Sequence, residues 1–162
     1  MDSLILLAVI AGLPVLLALF LRVSSVFLFL SVAAGSLLVT YVGDDAGLAL
    51  TMIIRGQNTT LIAQFGLQLL PVVISLLFLR KTLPKSKVLL HLPAIVATGL
   101  ALAALLLPYL DSKVQQQIYA NYYGNILRES QDVVVAGAAL LVLMIMWTTY
   151  RHKDDKKSKK HH

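Results

Sequence analysis

Gln64 and Gln68 are the most polar side chains within an otherwise apolar segment of this sequence. They are four residues apart, and Ser75 follows seven residues after Gln68, so a helix presents all three on one polar intramembrane face. Such a face can line a polar cavity or a conduction path, or it can form hydrogen bonds that clamp neighbouring helices together. We favour a clamp or an outer vestibule, because Gln64 lies only three residues inside the apolar segment and so close to the head groups.

A second group of polar residues has side chains that can take part in catalysis. Asp44 and Asp45 follow an apolar segment, where carboxylates can attract a cation or transfer protons, but no histidine is near them in sequence and a solvated loop is favoured. His91, beside Lys87, is predicted to contact lipid head groups. The chain has no cysteine and no motif for phosphate binding, zinc proteolysis or serine hydrolysis. We therefore predict no catalytic residue, no metal site and no cofactor, and hence no enzyme activity.

The elements that position these residues are predicted to be membrane helices. The chain has 162 residues, and 58% of them are apolar while 14% are charged, against about 45–50% and about 25% in a soluble domain. A domain of this size buries only about 70% of its surface, so this much apolar surface cannot be hidden from water. The composition excludes an ordinary soluble protein and favours an integral membrane protein.

Five segments are apolar over the length of about 20 residues that a membrane helix needs, and none of them contains Asp, Glu, Lys or Arg. They are residues 4–21, 26–42, 61–79, 88–110 and 133–150. A further apolar stretch, residues 48–54, is too short to cross and is predicted to form a surface or re-entrant turn of helix between Gly47 and Gly56. The sequence thus predicts an all-α, polytopic membrane bundle of five transmembrane helices within residues 1–150.

The distribution of charge predicts the orientation of the bundle. With the N-terminus outside and the C-terminus inside, the inner segments are residues 22–25, 80–87 and the tail 151–162, which is predicted to be disordered. These segments hold 11 of the 14 basic residues, whereas six of the eight acidic residues lie outside, as the positive-inside rule requires. The net charge of +6 thus reflects topology and does not indicate nucleic-acid binding. The residues predicted to contact anionic lipid on the inner face are Arg80, Lys81, Lys85, Lys87, Lys156, Lys157, Lys159 and Lys160.

The polar segment between the fourth and fifth spans is predicted to be an amphipathic interfacial helix over residues 112–129, because its apolar residues recur at helical spacing. It carries Tyr119, Tyr122 and Tyr123. These tyrosines are predicted to lie at the depth of the outer head groups. The alternative is that they form a docking surface for a partner, since tyrosine is frequent in interface hot spots.

The order of these elements resembles the topology of the bacterial colicin V production family. The shared features are an initial hairpin with a basic turn, an outer loop, and a basic inner loop before the fourth span. The Arg-Gly turn of that family is absent, because Arg22 is followed by Val23. The resemblance implies a topology only, and no functional residue is carried over from it.

Charge-free spans, rows of small residues along the spans, the tyrosine-rich helix and the basic tail together favour a small non-catalytic accessory or scaffold subunit. Its expected partners are a bilayer with anionic lipids on the inner face and either another membrane protein or a second copy of the chain. The alternative is a small channel or facilitator for an uncharged solute, which rests on the two glutamines, on kinks at Pro14 and Pro71, and on the outer pair Asp44 and Asp45. An enzyme that modifies head groups is a third, weaker hypothesis.

The expected location is the bacterial cytoplasmic membrane. The alternative is the endoplasmic reticulum membrane, because the terminal residues Lys159, Lys160, His161 and His162 resemble a dilysine retrieval signal. A tail this rich in lysine meets that pattern easily, and its simpler roles are to fix the topology and to contact anionic lipid.

Overall fold

The computed structural model describes residues 3–54, 58–84 and 87–158, and this part of the chain is helical apart from short turns. Its seven helices are α1 (Ser3–Leu21), α2 (Ser25–Ile53), α3 (Thr59–Phe78), α4 (Val88–Leu106), α5 (Ser112–Tyr119), α6 (Tyr122–Glu129) and α7 (Gln131–Ser158). A turn of 3-10 helix, Leu107–Tyr109, extends α4.

Four of these helices are long and apolar enough to cross a membrane: α2, α3, α4 with its 3-10 turn, and the part Gln131–Thr149 of α7. The apolar part of α1, Ile5–Leu21, is shorter. All five carry exposed large apolar side chains, such as Phe20, Leu37, Phe78, Leu89 and Trp147. A continuous apolar exterior of this kind is typical of a surface that lipid covers. The architecture is therefore that of a helical membrane bundle.

Helix α4 lies at the centre of the bundle, in contact with α1, α2 and α7. Its small residues Ala94, Ala101 and Ala104 are fully buried. Gly99 faces α1 so closely that a Cβ atom there would lie 3.0 Å from the carbonyl oxygen of Ala11. Because lipid gives helices no hydrophobic reason to associate, close backbone contact at small residues supplies the attraction.

The turns that precede α2 and α4 meet at one end of the bundle. The N–H of Lys81 donates to the carbonyl oxygen of Leu21, and the N–H of Leu83 donates to that of Arg22, both at 2.9 Å. Arg22 and Lys81 adopt left-handed backbone conformations, with φ of 54° and 62°, which let the chain turn sharply after α1 and α3. We call this end, formed by residues 22–24 and 79–84, the basic end.

The opposite end of the bundle carries α5 and α6. Ile118 of α5 and Leu127 of α6 are buried, and they pack against Ala103, Ala104 and Leu107 at the end of α4. The apolar positions of both short helices thus face the bundle, as their amphipathic patterns require. We call this end, formed by residues 107–131, the tyrosine end.

Helix α2 continues through residues 48–53, which were predicted to form a separate turn. Asp44 and Asp45 consequently lie inside a helix and not in a loop, so both predictions were wrong. Gly47, one of the two glycines predicted to bound that turn, is instead a position where α2 packs on α3. A Cβ atom there would lie 3.0 Å from the Cα of Thr60. At 29 residues, α2 is about 43 Å long and exceeds the roughly 30 Å of a hydrocarbon core.

The segment predicted as one helix over residues 112–129 consists of α5 and α6, interrupted at Ala120 and Asn121. The interruption lets α6 fold back on α5. Gly124 then packs directly on the carbonyl group of Ile118, where no Cβ would fit. Gly124 is thus the residue that permits this fold-back.

The basic tail begins as a continuation of α7. Its backbone is helical as far as Ser158, whereas disorder was predicted from residue 151 onward. Lysine and arginine are favourable helix formers, so the charged segment extends a helix that the apolar span has already nucleated. Residues 159–162, with the dilysine-like sequence, lie outside the described residues.

Replacing Gly35 of α2 with alanine should destabilise the α2–α3 pair, because the added Cβ would lie 2.5 Å from the backbone oxygen of Gln68. Overpacking of this kind costs about 1–3 kcal/mol, so we expect a lower unfolding midpoint in mild detergent, followed by circular dichroism. Gly66→Ala on α3 is the matched control, since a Cβ there meets no atom within 4 Å. Equal stability of the two variants would contradict the close approach.

Candidate functional site

The polar side chains singled out in the sequence lie where α2 packs on α3. Helix α2 presents a row of buried residues at four-residue steps: Ser31, Gly35, Val39, Gly43 and Gly47. The two helices run antiparallel, since Gly35 faces Gln68 while Gly47 faces Thr60. We call this contact the α2–α3 seam. The glycines allow the backbones to approach closely, which brings polar side chains of α3 within reach of α2.

Gln68 is the most deeply buried polar side chain of the seam, with no exposed surface. Its amide nitrogen donates to the carbonyl oxygen of Val32 at 3.2 Å and lies 3.5 Å from the hydroxyl of Ser36. Its amide oxygen has no hydrogen-bond partner among the described residues. An unpaired buried acceptor costs about 1–3 kcal/mol, which offsets part of what the bond to Val32 contributes.

Gln64 and Ser75 are also bonded to α2, at opposite ends of the seam. The amide nitrogen of Gln64 donates to a carboxylate oxygen of Asp44 at 3.2 Å. The hydroxyl of Ser31 donates to the carbonyl oxygen of Phe27 at 2.6 Å. It also hydrogen-bonds to the hydroxyl of Ser75. Because the single proton of Ser31 is used in the first bond, Ser75 is the donor in the second. All three predicted residues therefore hydrogen-bond from α3 to α2.

The structure also brings together a pair that the sequence analysis missed. Ser25 at the start of α2 and His91 in α4 are joined by a hydrogen bond of 2.9 Å between Oγ and Nδ1. His91 is only 4% exposed, so the predicted contact with lipid head groups was wrong. The two residues are 66 positions apart, and no local spacing could have indicated their contact.

The Ser25–His91 pair lacks the other parts of a hydrolytic site. Among the described residues no carboxylate hydrogen-bonds to His91, as the orienting acid of a catalytic triad would. Nor does that part of the chain contain three or more His, Asp or Glu side chains grouped to hold a metal ion. The pair therefore acts as a buried link between α2 and α4.

The three tyrosines at the tyrosine end have different environments. Tyr119 is half-buried, and the guanidinium carbon of Arg128 lies 4.9 Å from the centre of its ring. Tyr122 and Tyr123 are 72% and 62% exposed. Their rings form an edge-to-face pair, with 5.6 Å between centroids and an interplanar angle of 77°. The predicted tyrosine surface is thus an exposed aromatic pair beside a separate arginine–tyrosine stack.

Two of the cations predicted to contact lipid, Arg80 and Lys81, belong to the basic end. Arg80 and Lys81 are exposed there, and Lys87 is half-buried just before α4. Lys156 and Lys157 belong to the last turns of α7. Lys85, Lys159 and Lys160 lie outside the described residues.

Two recesses open at the tyrosine end. One of about 330 Å³ is mainly apolar and lies between the start of α3 and the 3-10 turn, with Leu61, Ile62 and Phe65 in its wall. The other, of about 560 Å³, is mainly polar and lies between α5, α6 and the start of α7. The three polar residues of the seam line neither recess.

Because the chain has no native cysteine, single cysteines can report water access to the seam. We expect Gln68→Cys to stay unlabelled by a water-soluble thiol reagent, since residue 68 is fully buried. Asp45→Cys on the exposed side of α2 should be labelled rapidly and is the matched control. Comparable labelling of both positions would mean that water reaches the seam and would revive the channel hypothesis.

Comparisons of the chain with protein-family models, with curated proteins and with solved structures found no match in any of the three.

Proposed function

We propose that this chain is a small, non-catalytic membrane protein that serves as an accessory or scaffold subunit. The observation that carries the proposal is the use of polar side chains within the long helices. Gln64, Gln68 and Ser75 bond across the α2–α3 seam, and Ser25 of α2 bonds to His91 of α4. These groups serve cohesion, which suits a structural role better than transport or catalysis.

In the proposed topology α1 also crosses the membrane, so that the bundle has five spans and not four. What supports this is its reach from one end of the bundle to the other, alongside α4. Its first turns, with Leu6 and Leu7, pack in the apolar cluster of the tyrosine end, and its last residue, Leu21, accepts a hydrogen bond in the basic end. A helix that connects the same two ends as α4 crosses the same thickness of bilayer.

The proposed orientation has the basic end at the inner leaflet and the tyrosine end outside. The basic end holds Arg22, Arg80 and Lys81 and no acidic residue, whereas in the tyrosine end the cations Lys113 and Arg128 are balanced by Asp111 and Glu129. Positive charge is retained on the cytoplasmic side during insertion. Each cation near an anionic inner surface contributes about 1 kcal/mol, so the proposed lipid contacts also hold the bundle in place.

The proposed location is the bacterial cytoplasmic membrane. Its inner leaflet is rich in anionic lipid, which suits the cations of the basic end. The alternative, the endoplasmic reticulum, depends on the terminal Lys159, Lys160, His161 and His162, which lie outside the described residues.

The orientation is testable with single cysteines in intact cells. A membrane-impermeant thiol reagent should label Asn125→Cys, in exposed α6, without any treatment of the cells. Lys81→Cys, exposed at the basic end, should be labelled only after the membrane is permeabilised. The reverse pattern would invert the proposed topology, and labelling of both before permeabilisation would exclude a bundle that spans the membrane between the two ends.

An accessory subunit needs a surface for its partner, and we propose that Tyr122 and Tyr123 supply it. Alanine substitution of hot-spot aromatic residues costs about 2 kcal/mol or more, or roughly thirtyfold in affinity. We expect the Tyr122→Ala/Tyr123→Ala double variant to lose the membrane protein that copurifies with the wild-type chain in mild detergent. Tyr41→Ala, which removes an equally exposed ring from α2, is the matched control and should retain it.

Two outcomes of the copurification would contradict the proposal. Recovery of the wild-type chain only as a lone monomer would exclude the accessory role. Retention of the partner by the double variant would mean that the partner binds another surface and that the two tyrosines serve as head-group anchors.

A further inference from the structure

The polar recess at the tyrosine end has the composition of a binding site for a phosphate ester. It has a volume of about 560 Å³, several times the roughly 30 Å³ share of one water molecule. Its walls carry one cation and several neutral hydrogen-bonding groups: Ser112, Gln115, Gln116, Tyr119, Arg128 and Gln131. We call it the Arg128 cleft.

Arg128 is the cation of this cleft and is restrained without being neutralised. Its guanidinium carbon lies 4.9 Å from the centre of the Tyr119 ring, a cation–π contact that leaves the N–H donors of the guanidinium unused. Within the described residues no carboxylate forms an ion pair with it. The neighbouring Glu129 instead accepts a hydrogen bond from Asn125 at 2.9 Å. The charge of Arg128 is therefore available to an external anion.

Of the neutral groups that line the cleft, one is held by hydrogen bonds within the protein and three are not. The amide nitrogen of Gln115 donates to the carbonyl oxygens of Pro108 and Leu110, at 2.7 and 3.0 Å, and so ties α5 to the end of α4. The side chains of Ser112, Gln116 and Gln131 form no hydrogen bond within the described part of the chain and can donate to a ligand.

The position of the cleft indicates the chemistry of that ligand. It lies where α4 has ended and α7 begins at Gln131, and in the proposed topology this is the level at which the apolar helices leave the hydrocarbon. Phospholipid phosphates occupy the same level of a bilayer. Arginine pairs with phosphate oxygens through two parallel N–H bonds, and the neutral donors suit the remaining oxygens.

We propose that the Arg128 cleft binds a phosphate ester, with Arg128 paired to the phosphate and Ser112, Gln116 and Gln131 as hydrogen-bond donors. The ester is either a phospholipid head group or a soluble molecule with the same group. This assignment goes beyond the accessory role and does not depend on it, since the cleft needs no protein partner.

Binding can be measured by calorimetry on the full chain in an uncharged detergent. The probes are dihexanoyl-phosphatidylglycerol, dihexanoylglycerol without the phosphate, and inorganic phosphate. We expect the short-chain phospholipid to bind and Arg128→Gln to weaken its binding about tenfold or more, the loss expected for one charge-assisted hydrogen-bond donor. Arg128→Lys keeps the charge without the paired donors, so its affinity should lie between those of the wild type and Arg128→Gln.

Lys113→Gln is the matched control, because it removes an exposed cation of α5 that does not line the cleft. It should bind like the wild type. If Arg128→Gln does not fold, Gln116→Leu tests the cleft without touching the arginine–tyrosine stack and should weaken binding about threefold.

The three probes separate the outcomes. Binding of the phospholipid alone, lost in Arg128→Gln, supports a head-group site, while equal and Arg128-dependent binding of inorganic phosphate supports a site for soluble esters. Equal affinity of Arg128→Gln and the wild type, or equal binding of the phosphate-free dihexanoylglycerol, would overturn the proposal. None of these results involves a partner protein, so failure here leaves the accessory role unaffected.

Discussion

Close approach of helix backbones at glycine is the constraint on which the rest of this bundle depends. Lipid tails are as apolar as leucine, so α2 and α3 gain nothing from burying apolar surface against each other. Their attraction comes from dispersion contacts and hydrogen bonds that exist only at short distance. That distance is set at Gly35 and Gly47, and again between α1 and α4 at Gly99, where a Cβ atom would collide with the facing helix. The bundle is organised by positions that lack a side chain.

This packing decides where chemistry can occur. The amide of Gln68 reaches the carbonyl oxygen of Val32 because Gly35 lets α3 come close, and the same closeness excludes water from the amide. The polar side chains of the seam are thereby bonded within the bundle, apart from the amide oxygen of Gln68, which has no partner among the described residues. Groups that remain free to bind something else lie at the ends, as Arg128 does beside Tyr119. The two binding surfaces proposed above accordingly lie at an end of the bundle.

The all-helical architecture could be predicted, because long charge-free apolar segments satisfy their backbone groups in a bilayer only as helices. The extent of α2 could not, because whether Gly47 ends a helix or packs on one depends on Thr60 of the next helix. The bond between Ser25 and His91 depends on the fold of α1 to α4 and has no local signal. At the seam, helical spacing predicts that the two glutamines share one face of α3. Their hydrogen-bond partners on α2 could not be predicted, because they depend on how the two helices pack.

The two ends are built differently, and the difference bears on orientation. At the basic end, backbone hydrogen bonds from Lys81 and Leu83 tie the turn after α3 to the turn after α1. This tie holds Arg22 and Lys81 near each other, although like charges repel across distances up to about a Debye length, or roughly 10 Å. Anionic head groups relieve that repulsion, and zwitterionic or outer-leaflet surfaces relieve it less. The backbone tie and the charges it gathers therefore support the proposed orientation, in which the anionic face of the bilayer lies at the basic end.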